Sequence, residues 1–248
     1  MKLILVRGSS FLAIAVMATL THAAHLCGQL GQECLVDGSF TTATAGGQTS
    51  NSPWVLTINK PDGVGTSAQF QGGFANAENG SGGAGDGGNG VWFKSFEGQQ
   101  SGNTAEPKAF AIVVQTAVVP TAGDYVLRFV AGREGNFMAS NFFTSLGSSG
   151  TGGSTSVDLL TAPMLLGNIG GAASPALGGN PFSLKLTGVS AGDTISVVGG
   201  MVNGMDSTIP GGQSAFLDKF SLTRVPEPTS LALVGMSLVG LLNMRRRY

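Results

Sequence analysis

Residues able to do chemistry are few in this chain of 248 residues, and several of them lie near its two ends. Of its two histidines, His22 falls in a stretch that reads as a removable leader, so a mature chain keeps only His25, at its N-terminus. A histidine-based nucleophilic triad cannot be assembled around such a residue, and HExxH does not occur. Glycoside hydrolysis needs only two carboxylates, and Asp124, Asp193 and Asp206 are available. Asp124 and Asp193, however, each follow Ala-Gly in a turn-like stretch. The chain is therefore expected not to be an enzyme and to need no cofactor, with a glycan-active hydrolase as the distant alternative.

The two cysteines, Cys27 and Cys34, are expected to pair in an oxidising compartment. So short a loop gives a bond of roughly 2–3 kcal/mol in the chain-entropy account, enough to staple the N-terminus. Two unpaired thiols are the alternative.

Aromatic rings are the remaining binding device, because a ring face stacks on the apolar face of a sugar. Trp54 sits in an alternating stretch and reads as core. Trp92 and Phe93 are adjacent, so in a strand they face opposite sides and one can meet solvent. Arg133, Glu134 and Asn136 follow a strand end and form a polar loop suited to a ligand rim. Trp92, Arg133 and Asn136 are the candidate ligand-binding residues; solvated loop and core are the bland readings of the same positions.

The elements that must position these residues read as β. The stretches 54–58, 91–97, 109–119, 124–132, 154–160, 182–189, 193–202 and 215–225 are rich in β-branched and aromatic residues. Tyr125, Leu127 and Phe129 alternate with Val126, Arg128 and Val130. Gly, Pro, Asn or Asp punctuates nearly every gap. Eight or more short strands with such turns predict an all-β antiparallel jelly-roll sandwich. In "AFLDKFSLT", alternation puts Phe216, Asp218 and Phe220 on the core face, with Leu217, Lys219 and Ser221 outside. "VPTAGDY" and "GVSAGDT" read as turns between antiparallel strands, with glycine at positive φ. The stretch 72–90 is glycine-rich and reads as a loop or insertion.

Both chain ends read as addresses. Lys2 and Arg7, then the apolar run 11–20, then "THAA", have the layout of a secretory signal over residues 1–23, removed by signal peptidase. At the other end stand Pro226, Glu227 and Pro228, an apolar run from Leu231 to Met244, and Arg245, Arg246 and Arg247. As a helix the run spans roughly 21 Å, short for a permanent crossing, which takes about 20 residues. Positive charge stays on the cytoplasmic side, so the arginines anchor inside a domain that lies outside. Of 14 acidic and 13 basic residues, Glu227, Lys2, Arg7 and the three terminal arginines lie outside residues 24–225, leaving 13 acidic against 8 basic. With no basic cluster in that body, nucleic acid is not an expected partner.

This ordering of Pro-Glu-Pro, apolar helix and arginine cluster resembles the PEP-CTERM sorting signal. The resemblance covers about the last two dozen residues. It implies transient inner-membrane association, processing by an exosortase, and a destination at the cell surface or in an extracellular matrix associated with exopolysaccharide. The body, in "LVDGSF", "VWFKSFEG", "VVQTAVVPTAGDYVLRFVAGREGNF" and "MVNGMDSTIPGGQSAFLDKFSLT", resembles galactose-binding-like jelly-roll domains over roughly residues 35–223. That likeness implies a carbohydrate-binding or matrix-associating module over residues 24–225, ahead of the signal at 226–248. A structural surface protein without a small ligand is the alternative. The resemblance also implies a structural calcium held by an acid after the first "SF" and by a closing acidic pair. Here Thr41 stands at the first position and Lys219 follows Asp218, so no metal is expected.

Overall fold

The computed structural model describes residues 27–42, 53–59, 68–72, 89–94, 110–133, 137–162, 180–205 and 214–226. They form ten strands: β1 (Val55–Asn59), β2 (Ala68–Gly72), β3 (Asn89–Lys94), β4 (Phe110–Val118), β5 (Gly123–Arg133), β6 (Met138–Ser148), β7 (Ser154–Asp158), β8 (Asn180–Val189), β9 (Thr194–Met205) and β10 (Ser214–Val225). All pairings are antiparallel, in two five-stranded sheets ordered β1-β4-β9-β6-β7 and β2-β3-β10-β5-β8.

The topology is that of one long hairpin rolled up. β6 pairs β7, β5 pairs β8, β4 pairs β9 and β3 pairs β10, each pair enclosing the one before it. Rolling this ribbon brings β6 against β9 and β5 against β10, which closes the two sheets face to face as a jelly roll. Both Ala-Gly-Asp turns therefore cross from one sheet to the other, β4 to β5 and β8 to β9, instead of joining neighbours within a sheet. They lie side by side: the Val119 amide donates to the Asp193 carbonyl at 2.9 Å, and the Gly192 amide to the Val119 carbonyl at 2.7 Å. Gly123 and Gly192 take φ of 147° and 88°, which glycine adopts without steric cost.

The inner faces fill as alternation predicts in β5, where Tyr125, Leu127, Phe129 and Ala131 are buried and Arg128 is exposed. Aromatic rings bridge the sheets. Trp54 lies 5.0 Å from Phe40 and 5.1 Å from Phe220, and Phe129 stacks on Phe220 and Phe182 at 5.5 Å. Each buried ring contributes roughly 1.5–3 kcal/mol.

β10 departs from simple alternation. Its register against β5 shifts between Asp218 and Ser221, and Lys219 takes φ of 52°. This bulge inverts the parity of the strand. Leu217 and Phe220 both enter the core, while Phe216 and Asp218 lie on the outer face, opposite Trp92 and Val130 respectively. The predicted grouping of Phe216, Asp218 and Phe220 on one inward face is thus corrected: only Phe220 points in. The bulge is seated by the loop before Phe40. Gly38 accepts the Phe220 amide at 3.0 Å, and a Cβ at Gly38 would collide with the Phe220 carbonyl oxygen.

Candidate functional site

The sequence candidates do not converge on one rim. Trp92 is half-buried on the outer face of β3, whereas Phe93 is fully buried in the core. Arg133, at the end of β5, stands opposite Ala215, as Phe93 does, so it follows the inner-face parity and is separated from Trp92 by the sheet. Its guanidinium donates to the carbonyls of Leu159 and Leu160 at 3.3 and 3.0 Å, tying β5 to the turn after β7. Glu134, Asn136 and Asp206 lie outside the described residues. The separation follows from the period of two: positions 92 and 133 belong to different faces once β10 fixes the registers of β3 and β5.

The side chains around Trp92 make a more coherent group. Lys94, two residues along the same face, places its ammonium 4.4 Å from the Trp92 ring centroid, a cation–π contact. Phe216 stands directly opposite Trp92 on β10. The far end of its ring lies over Gly132, where a Cβ would collide with it, so the ring's position requires glycine there. One step along the same face Asp218, fully buried, lies against Gly90 and accepts the Lys219 amide at 2.6 Å. Trp92 and Lys94 thus present a ring and an ammonium on the outer face, with Phe216 and Asp218 on the same face of β10 but buried. Sequence reading missed the last three. Lys94 was legible from the Trp-x-Lys alternation; Phe216 and Asp218 were hidden by the bulge.

The carboxylates considered for hydrolysis have other partners. Asp124 pairs with Lys185 at 2.7 Å and accepts the Gly188 amide at 3.1 Å. The hydrogen bond from Lys185 is the largest influence on its carboxyl and, with the Gly188 amide, outweighs burial to hold it below its ordinary pKa. Asp193 accepts from the Ser148 hydroxyl at 2.9 Å and the Ser190 amide at 3.2 Å. The turn 37–42 does not fit a calcium ion. Asp37 accepts four bonds from the amides and hydroxyls of Thr41 and Thr42, at 2.6–3.1 Å, so the loop closes on its own carboxylate. Burial raises the Asp37 carboxyl, but these bonds prevail and lower it. Among the described residues no three His, Cys, Asp or Glu side chains gather to hold a metal.

The third feature is where β10 ends. Cys27 and Cys34 are joined in a disulfide, with Cα atoms 4.6 Å apart, and both are buried. The loop between them grips the end of β10: Cys34 and Gly31 donate their amides to the carbonyls of Leu222 and Arg224 at 2.8 and 3.0 Å. Glu33 accepts the Leu222 amide at 2.7 Å as well as those of Cys34 and Leu35. Val225 closes the strand against Asp124, and Pro226 is exposed. Glu227, Pro228, Arg245, Arg246, Arg247, the apolar run and the leader lie outside the described residues.

Solved structures similar to this chain come from proteins of several kinds. TmCBM61, solved with β-1,4-galactotriose, shares 17% identity over 78% of this chain and 99% of its own, with a TM-score of 0.44. A cleaved adhesin domain of Lys-gingipain from Porphyromonas gingivalis shares 12% over 75% and 96%, with a TM-score of 0.41. The enzymatically active domain of tailspike protein 4 of bacteriophage CBA120 shares 12% over 78% and 21%, with a TM-score of 0.46. No curated protein matches the chain. Residues 224–247 match the family described as the PEP-CTERM protein-sorting motif, so the segment that leaves the sandwich at Pro226 is a PEP-CTERM sorting signal.

Proposed function

We propose that this chain is an exported surface or matrix protein whose jelly-roll domain binds carbohydrate on the outer face around Trp92, and whose tail is removed by an exosortase at the membrane. The observation that carries the reading is the sorting motif at 224–247, which begins in the last two residues of the last strand of the sandwich. The leader at 1–23 supplies export, and the run 231–244 with its arginines holds the chain in the inner membrane until processing. The sugar reading is supported by the patch itself. The half-buried ring of Trp92 offers an apolar face to a pyranose ring and Lys94 adds a donor for hydroxyls, while Phe216 and Asp218, both buried, support the patch from beside it. Exopolysaccharide is the partner of matching chemistry, and the domain acts by holding it, without catalysis.

Two measurements test this. In a host carrying the matching exosortase, the intact mass of the exported protein should lack residues 231–248; a product that retains the arginines refutes processing. The exported domain should be retained on an exopolysaccharide from a panel, and Trp92→Ala should abolish retention while the domain still unfolds in one cooperative transition. Equal retention by Trp92→Ala removes the patch as the site. No retention on any polysaccharide favours a structural surface protein.

A further inference from the structure

The jelly roll sorts its surface into two unlike ends. The turns β4–β5 (119–122), β6–β7 (149–153) and β8–β9 (190–193) share one end, as the contacts of Val119 with Asp193 and of Ser149 with Thr194 show. The disulfide loop joins them there, since a Cβ at Gly28 would touch Pro120 and Thr121. β10 finishes at the same end, with Arg224 paired to Leu30. Three large hydrophobic residues are exposed among the described residues: Leu30 at 56%, Val118 at 54% and Val36 at 38%. Leu30 and Val118 belong to this end, and Val36 lies beside it, its amide donating to the Gln115 side chain at 2.7 Å. Single exposed hydrophobics are ordinary; here two of the three lie at the end where the sorting signal leaves, and the third lies beside it. The carboxylates at this end are already engaged, Glu33 by three amides, Asp124 by Lys185 and Asp193 by Ser148.

We propose that this end is a lipid-docking surface, held against the membrane that carries the tail, with Leu30 and Val118 as its apolar contacts. The inference rests on the tail being membrane-inserted. Chain length then sets the orientation. Five residues, 226–230, separate Val225 from the apolar run and reach at most about 18 Å. β10 has 12 residues, so the opposite end lies roughly 40 Å away at strand rise. The tether cannot reach far enough to turn the molecule over. The end carrying Leu30 therefore stays within tether reach of the bilayer, and the connections leaving the other ends of the strands lie farther from it. Each apolar side chain that reaches the acyl boundary adds free energy in proportion to its buried area.

The test uses the full chain in vesicles of phosphatidylglycerol and phosphatidylethanolamine that contain a photoactivatable phospholipid. Flotation first reports insertion of the tail. Crosslinks are then expected in peptides 27–36 and 116–122 of the unmodified chain, and none around the exposed Ser140 toward the far end of β6. In vesicles with brominated acyl chains, a tryptophan placed by Val118→Trp should lose fluorescence relative to one placed by Ser140→Trp. Flotation with crosslinks confined to the tail overturns the docking surface and leaves the tail reading intact. A chain that does not float overturns both. Crosslinks at 27–36 that appear only when an exosortase is co-reconstituted overturn lipid as the partner and assign this end to the enzyme.

Discussion

At the scale of single residues, two charged positions show how the fold uses what composition leaves scarce. Asp124 is held below its ordinary pKa chiefly by Lys185, with Gly188 adding to it against burial. A depressed carboxyl stabilises the fold above its unfolded pKa of about 3.9, and that contribution disappears as pH falls through the lower folded value. Asp124→Asn should therefore lower stability by about 1 kcal/mol at neutral pH, since Lys185 is partly exposed. It should also flatten the loss of stability below about pH 4, read from urea midpoints across pH; an unchanged acid limb means that other carboxylates govern it. Lys219 is the second position. Its φ of 52° is paid in backbone strain, so Lys219→Gly should cost little or even stabilise, by up to about 1 kcal/mol. Phe220→Ala, one residue on, removes a ring packed on Phe40, Trp54 and Phe129 and should cost roughly 3–5 kcal/mol. A larger loss at Lys219 than at Phe220 in urea unfolding contradicts the bulge.

At the scale of elements, legibility followed how strongly each strand is half-buried. β4, β5, β8 and β9 were readable because β-branched and apolar residues recur in them between Gly-Asp turns. β6 was not, although it is a central strand: its sequence, MASNFFTSLGS, dilutes Phe142 and Leu146 with Ser, Asn, Thr and Gly. Thr144 is completely buried there, and β propensity alone does not announce such a position. β2, five residues long, carries too little pattern to be read. The Trp92 patch was half legible for a related reason. Alternation within β3 separates Trp92 from Phe93, but its partners on β10 depend on a bulge that depends on Gly38, about 180 residues earlier in the chain. The disulfide loop gives the element-scale prediction. Replacing both Cys27 and Cys34 by Ala should cost roughly 2–3 kcal/mol. Hydrogen exchange should accelerate first at Gly31 and Leu222, whose amides bond across this junction. Unchanged exchange at Leu222 would show that the Glu33 carboxylate holds the strand without the staple.

For the whole molecule, nested pairing sets where the folded domain ends. The last strand sits between β3 and β5 in the middle of its sheet, so it must be complete before the chain leaves. Thr223, Arg224 and Val225 pair with Val126, Tyr125 and Asp124 on one side, and Thr223 and Arg224 also bridge to Glu33 and Leu30 on the other. Pro226 is exposed and lacks an amide for another rung. The boundary of the folded domain should therefore be sharp. A chain ending at Pro226 should unfold with a midpoint within about 0.5 kcal/mol of the full chain, because no pairing described here is lost. A chain ending at Leu222 should lose roughly 2–4 kcal/mol, the worth of several backbone hydrogen bonds to β5 and to the disulfide loop. Urea denaturation of the two truncations decides between one boundary and another. If the chain ending at Pro226 were the weaker by several kcal/mol than the full chain, residues beyond 226 would belong to the folded unit, and the proposed removal of the tail would dismantle the domain.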